Sequence, residues 1–295
     1  FYNISPTETP MMSSIGKTKA TAVLHEWQTD SLSSAALNVA VEGATASDIT
    51  ISPTTRVGNR CQISQKTIKI SGTLQAVDKA GRKSEKAYNL AKASAEIKRD
   101  MELTLLSNQV ATNGNSSTAR ALGGLQAWLA TSYSGGTSGV AGASGTTART
   151  NGTNRTFTEA ILQNVVKSVY TAGGNPKILM VTPAHKQTVS GFAGIAAQRY
   201  MAPSNAPTTI IGAADVYLSD FGTLSVVPSR FMNSTNSADD VAFLLDPDMA
   251  AVAYLRPFQT NELAVTGDNE STQLLAEFTL EVRNEAAHGI IADLT

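Results

Sequence analysis

His25, His185 and His288 are the side chains best suited to move a proton or hold a metal near neutral pH, and they fall in three separate parts of the chain. None has a second ligand at helical or hairpin spacing, so each reads as a surface or structural histidine, with no zinc or catalytic centre. His185 has the best claim. It follows the apolar run KILMVTP at a turn into a helix, where α/β enzymes place functional groups, and Ser190 and Asp215 are conceivable neighbours. No Gly-x-Ser-x-Gly elbow is present, however, and Thr182-Pro183 ahead of His185 is the signature of a helix start. An α/β enzyme or ligand-binding protein with a site near His185 and a Gly-rich lid therefore stands as the alternative reading.

The other motifs are weaker. Ser14-Ile15-Gly16-Lys17 matches Ser-x-x-Lys but lies in a breaker-rich stretch without companion motifs. There is neither a Gly-x-x-x-x-Gly-Lys phosphate loop nor a Gly-x-Gly-x-x-Gly after a strand, so no nucleotide and no other cofactor is expected. The acidic groups Asp239-Asp240, Asp246-Pro247-Asp248 and Asp268-Asn269-Glu270 lack calcium-loop spacing and sit where turns favour Asp and Asn.

The totals agree with this absence of chemistry. The 295 residues are 42% apolar, enough for a sizeable core, and 23 basic against 24 acidic residues give no whole-chain field to select a partner. The single cysteine, Cys61, excludes an internal disulfide framework and fits a reducing compartment. No apolar run reaches the roughly 18 residues of a membrane span, and no leader pattern opens the chain, so the expectation is a soluble protein of cytosolic origin.

The elements that would position any site are organised around residues 82 to 109, RKSEKAYNLAKASAEIKRDMELTLLSNQ. Good helix formers fill this stretch without Gly or Pro, and Ala87, Leu90, Ala91, Ser94, Ile97, Met101 and Leu105 form one narrow stripe. Lys92 with Glu96 and Lys98 with Glu102 lie one turn apart, and the basic residues of the helix favour only weak contact with a polyanion. At 1.5 Å per residue the rod would be about 40 Å long and needs a sheet to lie on.

Residues 1–39 read as an arm. Residues 40–80 read as an extended two-stranded loop with Ile68, Ile70 and Leu74 on one face and Lys66, Thr67, Lys69 and Thr73 largely on the other, too polar for a private core. The Gly/Ser/Thr-rich stretch 113–155 reads as a long surface loop anchored at Trp128. Residues 156–249 alternate helix and strand as an α/β lobe. Residues 250–284 read as two long antiparallel strands turning near Gly267, Asp268 and Asn269, and 285–295 as a last short strand.

This order of parts, and the strings WQTDSL at 27–32, VEGA at 41–44, KISGT at 69–73, AVDKAGR at 76–82, EIKRD at 96–100, LLSNQ at 105–109, GGLQAWL at 123–129 and the closing FTLEVRNEAAHGIIADL, resemble the major capsid proteins of tailed bacteriophages. The resemblance covers nearly the whole chain, with 133–155 the least matched. It implies an α+β fold of the Hong Kong 97 type, with an N-terminal arm, an extended β loop over 40–80, a spine helix over 81–112, an axial lobe over 156–249 and peripheral strands over 250–284. It implies a structural protein and not an enzyme, in the virion and made in the bacterial cytoplasm. It also implies self-assembly through hexamers and pentamers into an icosahedral head around double-stranded DNA, which it touches weakly and non-specifically. Further partners would be portal, scaffolding and decoration proteins, with no membrane. Contacts between subunits would then fall on Trp27, Lys66, Ile68, Lys69, Ile70, Leu74, Asp268 and Glu270.

Overall fold

The computed structural model describes residues 5–46, 48–77, 84–192 and 215–295. A short helix α1 (Pro10–Ser14) leads into β1 (Gly16–Lys19), and β2 (Leu24–Thr29) pairs antiparallel with β3 (Thr55–Arg60). Strand β4 (Gln62–Ser71), helix α2 (Gly72–Ala76) and the long helix α3 (Glu85–Leu105) follow. Beyond a looped segment holding β5 (Tyr133–Ser134) come α4 (Glu159–Thr171), β6 (Ile178–Val181) and α5 (Pro183–Ser190). The chain then forms β7 (Val216–Ser219), β8 (Gly222–Pro228), β9 (Ala242–Leu245), β10 (Ala250–Glu262), β11 (Asn269–Val282) and β12 (Gly289–Ile291).

These strands make a four-stranded sheet ordered β1-β10-β11-β4, a six-stranded sheet ordered β5-β12-β9-β6-β8-β7, and the separate ribbon β2-β3. The short apolar strands of the six-stranded sheet are buried on both faces. Met180, Phe243, Leu245 and Ile290 point into a core shared with α3, β10 and β11, while their alternates Leu179, Val181, Leu244 and Ile291 point to a second core under α4 and α5. Period-2 alternation between two apolar layers leaves no polar face, which is why these runs read as continuously hydrophobic. In β10 the pairing register slips between Tyr254 and Gln259, around Pro257, whose missing N–H removes one rung of the ladder.

Three expectations need correction. The two-stranded ribbon is not 40–80: β3 returns to β2, whereas β4 pairs along its length with β11 and so belongs to the main sheet. Its alternation is satisfied by an in-chain partner. The helix is 21 residues, about 32 Å, and not 28. Ser84 caps its start by accepting from the Ala87 N–H at 3.2 Å, and Arg82 and Lys83 lie outside the described residues. It ends at Leu105 because the Ser107 hydroxyl takes the Thr104 carbonyl at 2.7 Å and the Asn108 amide bonds Arg149 O and N, each at 2.7 Å, drawing the chain away. Its buried stripe is Ala93, Ile97, Met101, Glu102 and Leu105, while Ala87 and Ala91 are exposed. Lys98 does not meet Glu102 but sits 5.9 Å over the Phe258 ring.

The third correction concerns 113–155, which is no surface loop. Leu122 through Leu129 are buried, and the Arg149 side chain is wholly enclosed. Its guanidinium lies 3.0 Å from Asp293 and 3.1 Å from Asp240, and donates to Gln126 Oε1 at 3.2 Å. Asp293 also accepts the Gly136 and Gly152 N–H groups at 2.8 and 2.9 Å. A buried cation flanked by two carboxylates and further hydrogen bonds is satisfied in place, and it ties the Gly-rich backbone to the C-terminal strand. The glycines permit the close approach. At Gly145, where φ is +69°, a Cβ would sit 2.5 Å from the Trp128 ring.

Candidate assembly surfaces

The base of the β2-β3 ribbon is firmly held. Trp27 packs on Trp128 with ring centroids 5.5 Å apart. The buried Asn59 amide donates to Gly123 O at 3.0 Å and Leu280 O at 2.8 Å. His25 Nε2 lies 2.8 Å from Glu281, which also accepts from Thr18 at 2.9 Å, so ribbon, arm and β11 meet at one carboxylate. Burial alone would raise the Glu281 pKa, but hydrogen bonds from His25, Arg283 and Thr18 bring it below the ordinary value. Cys61 beside them is buried, and its thiol is pushed up to about 11 by burial first and by Glu277 second, which leaves it an inert packing residue.

Beyond that base the chain departs from its own fold. Every described residue from 30 to 54 is exposed. The segment carries Leu32, Leu37, Val39, Val41, Ile49 and Ile51 at between 81% and 98% exposure. Single exposed apolar side chains are ordinary, but six on one 25-residue excursion are not.

The arm is anchored from a distance. Helix α1 has no side-chain cap of its own, and Pro10 has no N–H to give. The free donors of its first turn are the N–H groups of Met11 and Met12, and Glu102 of α3 accepts them at 2.6 and 2.9 Å. Glu102 is fully buried. Burial pushes its carboxyl up to about 7, against the two N–H bonds, which favour the anion.

The contact residues expected from the sequence divide into two groups. Trp27, Lys66, Ile68, Ile70 and Glu270 are engaged within their own chain: Lys66 pairs with Glu96 at 3.3 Å and Asp100 at 3.0 Å, Glu270 pairs with Lys86 at 3.5 Å, Ile70 is buried, and Ile68 is half-buried against the core. Lys69, Leu74 and Asp268 are exposed, and the last two flank one corner, where Gly72 N donates to Asp268 O at 3.2 Å. The apolar residues between 32 and 51 were not singled out from the sequence. Their signal was a β-branched, Ala- and Ser-rich stretch with no complementary strand to receive it.

The conceivable catalytic group does not assemble around His185. His185 is buried edge-on against Phe157, 5.9 Å between ring centres, and burial lowers its pKa. The Ser190 hydroxyl donates to Lys186 O at 3.0 Å and Asp215 pairs with Lys186 Nζ at 3.0 Å, so neither is aligned on the imidazole. Thr182 caps the helix, accepting from the His185 N–H at 3.2 Å. His288 is structural too: its Nδ1 accepts from Asp246 N at 3.2 Å, leaving Nε2–H for Met249 O at 3.3 Å.

An anchored arm, an outlying apolar excursion and a long helix on a four-stranded sheet, joined to an α/β lobe, define a shell-forming fold of the Hong Kong 97 type. Solved structures agree. The chain is similar over its full length to a chain of the cyanophage A-1(L) capsid asymmetric unit, covering 95% of that chain at a TM-score of 0.73 and 14% identity. It is similar in the same way to the capsid of a native GTA particle, covering 100% of this chain and 93% of that one at a TM-score of 0.61 and 13% identity. In sequence it is 29% identical to the major capsid protein of Escherichia phage Phieco32, over 98% of this chain and 90% of that protein. The family model described as SU10 major capsid protein matches residues 1–295, and the chain belongs to that family. It is a capsid-forming structural protein of phage, and its place is the virion.

Proposed function

We propose that the chain closes head to tail into hexamers and pentamers, and that these tile an icosahedral head around double-stranded DNA. The carrying observation is the excursion 30–54, whose six apolar side chains find nothing to bury them within their own chain. Full burial of six such residues is worth on the order of 10 kcal/mol, enough to offset much of the cost of association. A neighbouring copy is the occupant, because a particle built of one chain must meet its own surfaces, and a heterologous contact whose rotation closes gives a ring. In this reading residues 156–249 face the ring axis as the axial lobe, and the long strands 250–284 lie peripherally beside α3. Lys69, Leu74 and Asp268 are the expected contact residues that remain free to meet a neighbour. The chain is made in the host cytoplasm and meets portal, scaffolding and decoration proteins there, and it has no catalytic role.

The test replaces residues 32–51 by a short Gly-Ser linker. The variant should keep the thermal transition of the parent yet give no rings or closed particles by negative-stain electron microscopy at concentrations where the parent does. Particles of normal yield from the linker variant would refute the role of the excursion.

A further inference from the structure

Helix α4 lies across the six-stranded sheet with Leu162, Val165, Val166 and Val169 inward, and its two flanks differ. On the β7 flank Gln163 reaches the Tyr217 hydroxyl at 3.4 Å, and Tyr170 stacks on Phe221 with centroids 4.8 Å apart. Here the β7-β8 turn projects: Leu218 is 75% and Phe221 39% exposed, and Asp220 between them is exposed as well. On the β5 flank Ser168 meets Ser132 at 3.1 Å, and an open groove of about 480 Å³ is lined by Thr131, Asn164, Lys167, Ser168, Thr171 and Ala172. A projection bearing an anion thus lies at one sheet edge and a recess bearing a cation toward the other. Among the described residues neither Asp220 nor Lys167 is held in an ion pair. Glu285, an acid beside the recess, already accepts the Ala130 and Thr131 N–H groups at 3.1 Å each.

We infer that the β7-β8 turn of one copy seats in the α4 groove of the next, with Phe221 and Leu218 covered there and Asp220 facing Lys167. This rests on the head-to-tail reading above and names the surfaces that carry it. Knob and recess lie on opposite flanks of one lobe, so a copy that gives its turn to one neighbour receives another's. Repeated head to tail, that contact builds a ring when its rotation closes. The paired charges fix the register of the contact and disfavour the reverse one.

The test reverses each charge in the full chain and then both. Asp220→Lys or Lys167→Asp alone should raise the concentration at which rings and particles appear by about tenfold or more, because each interface then faces like charges. The double variant D220K/K167D should return to within about threefold of wild type. Both side chains are exposed, so unchanged melting temperatures should accompany these shifts. As a second measurement, the pair Asp220→Cys with Lys167→Cys should give a disulfide ladder of chains on a non-reducing gel after mild oxidation of assembled particles, Cys61 being buried. Single reversals that assemble like wild type, a double variant no better than the singles, or particles without a ladder overturn this contact while leaving the shell reading intact. A wild-type chain that stays monomeric at every concentration overturns both.

Discussion

Glu102 offers the sharpest quantitative test, because two effects oppose each other at one carboxyl. Burial favours the neutral acid, while the Met11 and Met12 N–H groups favour the anion, and the balance sets the pKa at about 7 against 4.5 for a free glutamate. With the folded value raised, the native state holds a proton between those limits that the unfolded chain has lost. The stability this group contributes is therefore fully present below pH 4.5 and declines as pH rises through 7. At 1.36 kcal/mol per unit the whole decline is about 3 kcal/mol. Glu102→Gln removes the titration and keeps the shape, at the cost of one N–H facing an amide donor in place of an acceptor, about 1–3 kcal/mol. The assay is the melting temperature of unassembled wild type and E102Q at intervals from pH 4.5 to 8. The advantage of wild type should shrink by about 3 kcal/mol across that range, roughly 5 °C for a chain of this size. A difference that stays level, or that widens toward pH 8, would show that the two N–H bonds outweigh burial and that the arm is held by an ordinary ionised carboxylate.

Two further outcomes follow from the interior. Arg149→Ala should lower stability by about 3–5 kcal/mol, since it strands the Asp293 and Asp240 carboxylates, Asp293 wholly buried; soluble yield and melting temperature read the loss. Gly145→Ala and Gly173→Ala both place a side chain at positive φ, but only the first meets an obstacle, the Trp128 ring at 2.5 Å, whereas around Gly173 nothing lies within 4 Å. G173A should cost about 1–2 kcal/mol of backbone strain, and G145A clearly more, with Trp128 fluorescence shifted in G145A alone.

What the sequence made legible was whatever local periodicity encodes. The α3 rod, the TPAH helix start and the paired strands turning at Gly267 follow from patterns within a few residues of themselves. What it concealed depended on distant partners. Strand β4 alternates whether its partner is β3 or β11, so the pattern alone does not show that Lys66, Ile68 and Ile70 are engaged within their own chain. The stretch 113–155 has the composition of a flexible loop, and only Asp293, 144 residues from Arg149, makes its interior course intelligible. Glu102 looked like the surface partner of Lys98, because nothing near it in the chain shows that an uncapped helix 90 residues earlier lacks an acceptor.

Strand β9 passes into β10 through a single 3-10 turn at Pro247–Met249, and the same apolar core runs on both sides of that passage. No hinge separates the two sheets there. A load applied at the tip of the long strands is transmitted to the lobe behind them as through one stiff tile. If the excursion and the arm overlap the next tile as proposed, a vessel paved with such tiles would take up pressure from its contents at those seams, and its bursting strength would be set there more than in the tile.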